Sequence, residues 1–142
     1  MTPVNHLPPQ PFSVPVRVYY EDTDAAGLVY YAGYLRFLER GRTEWLRARG
    51  VQQGRLAQDT GIAFAVRSLS IEYLKAARLD DLLTVSTAVS SLGRAQAVFA
   101  QRIERAGEVL VEANVRVACI DAQRLRPVAI PRTIRNQLGE SR

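Results

Sequence analysis

"YAGYLRFLERGRTEWLRARG", residues 31–50, decides how the rest of this 142-residue chain can be arranged. Tyr34, Leu38, Gly41 and Trp45 recur at helical spacing, and Leu35 and Leu46 widen the same stripe. Arg36, Glu39, Arg40, Arg47 and Arg49 fall mostly off it. The pattern predicts an amphipathic helix of about five turns with one long buried side, ended by Gly50 in the left-handed position that follows many helices. Gly41, in the middle, costs about 1 kcal/mol of helix propensity relative to alanine. Its presence there predicts that another element packs close against the helix.

Downstream, "VQQGRLAQDTG" has room for a short helix, and everything from Ile62 to Ile120 reads as strand. Leu83, Val85, Thr87 and Val89 share one face of a period-two pattern, as do Val109, Val111, Ala113, Val115, Val117 and Cys119. "SSLGRA" and "ERAGEV" put Gly93 and Gly107 between strands, where hairpin turns need them. The expectation is a meander of about four long antiparallel strands. Upstream, "VRVYY" from Val16 is a short strand; at the other end "AIPRTIRNQL" puts Pro131 at the first position of a short helix, with Arg132 and Arg135 exposed and Ile134 and Leu138 turned inward. The order is strand, long helix, four strands and terminal helix: an α+β layer with one helix on one face of an antiparallel sheet. Such a helix covers only part of a five-stranded face, and long edge strands seldom stay unpaired. A dimer is expected, and beyond it a higher oligomer.

The length suits one domain. Residues 1–15 hold five of the seven prolines and read as a flexible arm; residues 16–138 form the domain and 139–142 a polar tail. No apolar run approaches the ~20 residues that span a bilayer, and no basic patch followed by a hydrophobic region opens the chain, so the reading is of a soluble cytoplasmic protein without a transmembrane segment. The single cysteine, Cys119, and the single histidine, His6, in the proline-rich arm, argue against a disulfide framework, a zinc site, or a Ser-His-Asp or Cys-His triad. Chemistry is left to carboxylates, hydroxyls, cations and backbone groups, with no metal and no cofactor. The formal charge of +5 comes from 19 basic residues, all arginine except Lys75, against 14 acidic ones. It suits an anionic partner. Nucleic acid is disfavoured, because the arginines are dispersed and no zinc-finger or RNP pattern occurs.

Just ahead of the helix, "EDTDAAGLVY" crowds Glu21, Asp22 and Asp24 together. Acids before a helix commonly cap it, since its first N–H groups and its dipole favour negative charge. Asp24 is too far upstream for that, separated from the helix start near Tyr31 by "AAGLV". A carboxylate so spaced can face the helix N-terminus across a gap. A carbonyl held there would have its oxygen polarised by backbone N–H groups while the carboxylate attacks its carbon or activates water.

These residues carry a resemblance. "VRVYYEDTDAAGLVYYAGYLRFLERGRTEWL", with "FAVRSLSIEYLKAARLDDLL" and "NVRVACID", resembles the YbgC-type acyl-CoA thioesterases encoded with the Tol-Pal envelope system, in the 4-hydroxybenzoyl-CoA thioesterase branch of the hotdog fold. The match runs from Val16 to about Ile134, and D-x-D-x-x-G-x-V-Y-Y is its most specific part. The resemblance implies a long central helix wrapped by a five- to six-stranded antiparallel sheet, and dimers that join their sheets, often pair into tetramers, and build each active site from two protomers. It implies further that Asp24 is the catalytic aspartate, Gly27 the glycine of the following loop, and Tyr31 the residue whose backbone N–H polarises the thioester carbonyl. Many YbgC-type members have histidine where this chain has the Tyr31 side chain. Glu21 and Asp22 remain turn-supporting residues, and Tyr30 and Tyr34 are candidates for the border of the acyl pocket.

The basic balance then acquires a ligand, because coenzyme A carries a pyrophosphate and a 3′-phosphate that arginine can grip. Arg94, in the turn after Gly93, aligns with a basic turn that holds coenzyme A in that branch; Lys75 and Arg78 in "YLKAARLDD" are further candidates. The expected activity is hydrolysis of an acyl-CoA to free acid and coenzyme A. The alternative is a partner of acyl carrier protein or of phospholipid synthesis at the inner membrane, with hydrolysis incidental.

Overall fold

A computed structural model describes residues 7–139. Residues 1–6 of the expected arm, His6 among them, and 140–142 of the expected tail lie outside these. The chain runs through β1 (Phe12–Arg17), a 3₁₀ turn (Tyr20–Asp22), α1 (Tyr31–Ala48), α2 (Gln53–Thr60), β2 (Ile62–Tyr73), β3 (Leu82–Leu92), β4 (Gln96–Arg105), β5 (Glu108–Asp121), β6 (Arg126–Pro127) and α3 (Arg132–Gln137). One antiparallel sheet has the order β1-β3-β4-β5-β2, with β6 beside the end of β5. Helix α1 lies across β1, β3 and β4, which is the wrapped-helix arrangement of the hotdog fold.

The meander is shorter than expected. It comprises β3, β4 and β5, while β2 lies at the far edge against β5. The cause is β1, which begins at Phe12 rather than Val16 and pairs with β3 from Phe12↔Thr87 to Arg17↔Leu82, so that the free side of β3 is taken. Phe12, Val14 and Val16 alternate inward opposite Thr87, Val85 and Leu83, and Phe12 and Val14 pack against the core. Residues 12–15 are thus sheet rather than arm. Pro15 is tolerated because β1 is an edge strand and its missing N–H would have pointed away from the ladder. The strand stops at Arg17 because the Tyr19 N–H donates to Asp22 Oδ2 (2.8 Å) and the chain tightens into the 3₁₀ turn.

The buried side of α1 comprises Gly33, Tyr34, Phe37, Leu38, Gly41, Trp45 and Leu46. Phe37 takes the place expected for Leu35, which is exposed at the margin facing the uncovered β2. Burying Phe37 and Leu38 stabilises the fold by about 1.5–3 kcal/mol each, and the Trp45 ring meets Phe99 of β4 edge-on at 5.5 Å. At Gly41 helix and sheet come closest. A β-carbon there would lie 2.7 Å from Val85 Cγ1, 2.9 Å from Thr87 Oγ1 and 3.0 Å from Gln101 Nε2. Gln101 is fully buried beneath it; its amide donates to Thr87 Oγ1 and to the Leu38 carbonyl (2.9 Å each), and its Oε1 accepts from Arg42 Nη1 at 3.0 Å. At the far end Pro131 caps α3 in extended conformation rather than occupying its first turn. Arg135 is half-buried, not exposed, because its guanidinium donates to the Gly93 carbonyl at 2.5 Å.

The connection from β2 to β3, residues 74–81, is held by charge. Asp81 Oδ2 accepts from Arg105 Nη1 and from the Arg78 N–H, both at 2.8 Å. Arg105 also pairs with Glu108 at 3.2 Å, and Glu108 with Lys75. Desolvation is the largest single effect on Asp81 and pushes its carboxyl up, but the Arg105 and Arg78 hydrogen bonds and the charges of both arginines outweigh it and hold the group below the usual carboxylate range.

Two outcomes follow from this packing. Gly41→Ala gains helix propensity but must displace the β-branched Val85, so a net loss of about 1–2 kcal/mol is expected, read as a lower urea midpoint at unchanged slope. A depressed folded-state value at Asp81 adds stability that is present in full above the ordinary carboxylate value and is lost as pH falls through the folded one. Asp81→Asn should therefore melt below wild type at pH 7, with the gap closing below about pH 4.

Candidate active site

Residues 23–29 form a miniature hairpin at the end of the sheet, bridged at Thr23↔Val29. Its turn is made by Asp24. The Asp24 carbonyl accepts from the Gly27 N–H (3.0 Å), and Oδ1 accepts from the N–H groups of Ala26 (2.9 Å) and Leu28 (3.3 Å). Such a side-chain-closed turn suits aspartate, and Gly27 follows at φ +78°, which favours glycine. One carboxylate oxygen is thus spent on holding the loop. Oδ2 has no donor among the described residues.

The returning arm of the hairpin is clipped to the β2–β3 connection by a Leu28↔Arg78 bridge, with the Val29 N–H donating to Ala77 (3.0 Å) and the Leu79 N–H to Gly27 (3.0 Å). Ala77 in turn donates its N–H to the Tyr34 hydroxyl on α1 at 2.9 Å. Loop, connection and helix are therefore fixed to one another within a few residues. Desolvation, partly offset by the Ala77 hydrogen bond, pushes the Tyr34 phenol up.

Asp22 belongs to the scaffold of this arrangement. Its carboxylate is buried, receives the Tyr19 N–H on one oxygen and pairs on the other with Arg36 Nη2 at 3.3 Å. Arg36 lies over the Tyr30 ring, 5.6 Å from its centroid, and donates to its hydroxyl at 3.4 Å. Tyr30 is the residue ahead of α1 and offers the helix no side-chain cap, and Tyr31 is the first helical residue. Its N–H is among those a helix leaves without an internal acceptor.

Asp24, Tyr30, Tyr31 and Lys75 line one cavity of about 460 Å³, together with Leu28, Val29, Tyr34, Tyr73, Leu74 and Ala76. Gly27 shapes the loop beside it. Arg78 is exposed next to the hairpin through its backbone bridge to Leu28. Lys75 is at the cavity with its ammonium paired to Glu108. Arg94 is not brought there. It occupies the turn after β3, and the eleven residues of that strand, at about 3.3 Å each, separate it from the Asp24 hairpin of its own protomer. Its backbone carbonyl accepts from Ile130 at 2.8 Å, and its side chain is exposed.

Tyr73 and Leu74 were not singled out from the sequence. Tyr73 ends β2 opposite Val111, in register with Ile71↔Ala113 and Leu69↔Val115, so it faces the helix side of the sheet. That alternation, continued to the last residue of the strand, was the signal available for it.

Comparison with known proteins places the chain in a family. The model of the thioesterase-like superfamily matches residues 18–138. The acyl-CoA thioesterase YbgC of Haemophilus influenzae is 50% identical over 124 residues, covering 87% of this chain and 91% of that protein. Among solved structures, a probable thioesterase from Bartonella henselae superposes with a TM-score of 0.81 at 37% identity, over 86% of this chain and all of that one. The 4-hydroxybenzoyl-CoA thioesterase, solved with 4-hydroxybenzoyl-CoA, does so at 0.84 over 90% of this chain and 98% of its own; at 20% identity this is a likeness of fold. A match over most of the chain and a relative of half identity along nearly its whole length assign the protein to a family: the chain belongs to the thioesterase-like superfamily, in its YbgC-type group.

Proposed function

We propose that the protein is an acyl-CoA thioesterase, hydrolysing an acyl-CoA to a free carboxylic acid and coenzyme A, with Asp24 as the reactive carboxylate and the Tyr31 N–H as the donor to the thioester oxygen. The observation that carries this is a shared cavity: Asp24, with one oxygen committed to its loop and the other open, lines the same tyrosine-walled space as the uncapped first turn of α1. The N–H groups of that turn stabilise the charge that develops on the carbonyl oxygen. Asp24 either attacks the carbonyl carbon or takes the proton of a water that does. On both routes the C–S bond breaks and one water is consumed per thioester, its hydroxyl balancing the acid and its proton going to the coenzyme A thiolate. The reaction draws on no cofactor.

The phosphates of coenzyme A are assigned to Arg94, with Lys75 and Arg78 nearer the mouth of the cavity. Because Arg94 is a strand's length from its own Asp24, it would serve the cavity of a second protomer. That reading fits the uncovered edge of the sheet. Leu35 on α1 and Val66 and Leu69 on β2 are exposed apolar side chains around one shallow depression, and an antiparallel pairing of two β2 edges would cover them. We read the functional unit as a homodimer, pairing further into a dimer of dimers, in the cytoplasm. No helix among the described residues is long and apolar enough to cross a membrane. Acyl carrier protein, an acidic thioester carrier, would suit the net positive charge of +5 as a further partner.

Asp24→Asn is expected to keep the fold and lower thiol release from acyl-CoA by about 10²–10⁴-fold; unchanged release would remove Asp24 from the chemistry. Val66→Arg, which puts a charge into the apolar edge, should shift the protein toward monomer in light scattering and lose activity with the dimer. A fully active monomer would refute the two-protomer site.

A further inference from the structure

The four tyrosines around the cavity divide into two kinds. Tyr34 is buried with its hydroxyl bonded to the Ala77 N–H, and Tyr30 lies under Arg36 with its hydroxyl toward the Glu21 carbonyl at 3.4 Å. Both rings are anchored at two points. Tyr31 and Tyr73 have no hydrogen bond from their hydroxyls among the described residues. They rest on each other, with centroids 4.6 Å apart and planes 31° from parallel, and Tyr73 leans on Tyr34 at 5.5 Å. Tyr31 is 71% exposed and Tyr73 37%. Part of the cavity lining is thus anchored, and the adjoining part is a ring pair held by contact alone.

Tyr73 lines the cavity from the end of its strand. It is the last residue of β2, directed to the helix side, at the edge of the sheet where the pairing proposed above brings a second protomer. Leu74 and Lys75 then turn along the rim, their N–H groups donating to the Leu110 carbonyl at 2.8 and 3.2 Å. An acyl group with its carbonyl at the first turn of α1 would share the cavity with the Tyr31–Tyr73 pair, the part of its lining held by ring contact alone.

We propose that Tyr73 is a specificity-determining residue: stacked on Tyr31, it closes the acyl slot, so that short acyl groups fit with the pair intact and long chains must displace the Tyr73 ring. This rests on the thioesterase reading above. Removing the ring lengthens the slot without touching Asp24 or the helix N–H groups.

The test is kcat/KM for butyryl-CoA and palmitoyl-CoA, followed by thiol release, in wild type, Tyr73→Ala, Tyr73→Leu and Tyr73→Phe. Tyr73→Ala should raise the palmitoyl-to-butyryl ratio by about tenfold or more, Tyr73→Leu should raise it less, and Tyr73→Phe should keep the wild-type ratio whatever its absolute rates. A loss of packing alone would lower both substrates by the same factor, so an unchanged ratio in the alanine and leucine variants overturns the proposal while leaving the thioesterase reading intact. Wild-type protein that releases thiol from neither substrate, nor from benzoyl-CoA, overturns both.

Discussion

The close approach of α1 to the sheet at Gly41 is the constraint on which the rest of the structure depends. With no β-carbon in the way, the helix settles onto Val85, Thr87 and Gln101, and the buried Gln101 amide reaches the Leu38 carbonyl as well as Thr87. A buried amide is costly unless satisfied. Here its hydrogen bonds fix the rotation of the helix as well as its height. Tyr34, two turns earlier, is thereby aimed at Ala77, and the first turn of α1 at the cavity.

Around that helix start, three pieces of chain that are distant in sequence hold one another. The Asp24 hairpin pairs with the β2–β3 connection, the connection bonds to Tyr34, and the buried Asp22 holds Arg36 over Tyr30. The acids of this segment therefore divide their labour. Asp22 is sequestered and ion-paired, whereas Asp24 keeps one oxygen open because Ala26 and Leu28 claim only the other. Rigid support for a carboxylate with one oxygen open is the arrangement a pre-organised site would use.

Much of this was legible in the chain. The helix stripe, the demand for close packing at Gly41, the hairpin glycines and the period-two faces of β3 and β5 are local patterns, and local patterns survive without knowledge of the fold. What was not legible depends on pairing at a distance. Phe12 and Val14 looked like part of a proline-rich arm until β3 gave them a partner, and β2 could be assigned to β5 only once β1 had occupied β3. Leu35 and Phe37 are both apolar and near the stripe, and which one is covered depends on where the sheet stops. At the site, Asp24, Gly27 and Tyr31 could be marked from spacing and resemblance. Tyr73 is brought to them by a strand register that sequence alone does not fix.

The two edges of the sheet are unlike. At one, β1 is only six residues long and carries Pro15, which has no N–H to offer an incoming strand. At the other, β2 runs twelve residues without proline, interrupted only by an irregularity between Val66 and Ser68. A sheet that is adhesive on both sides can add copies indefinitely and grow into a filament. One that is adhesive on a single side can associate through its strands only by meeting its own image, and growth terminates at two. Pro15 thus leaves the β1 edge the less receptive of the two to an incoming strand.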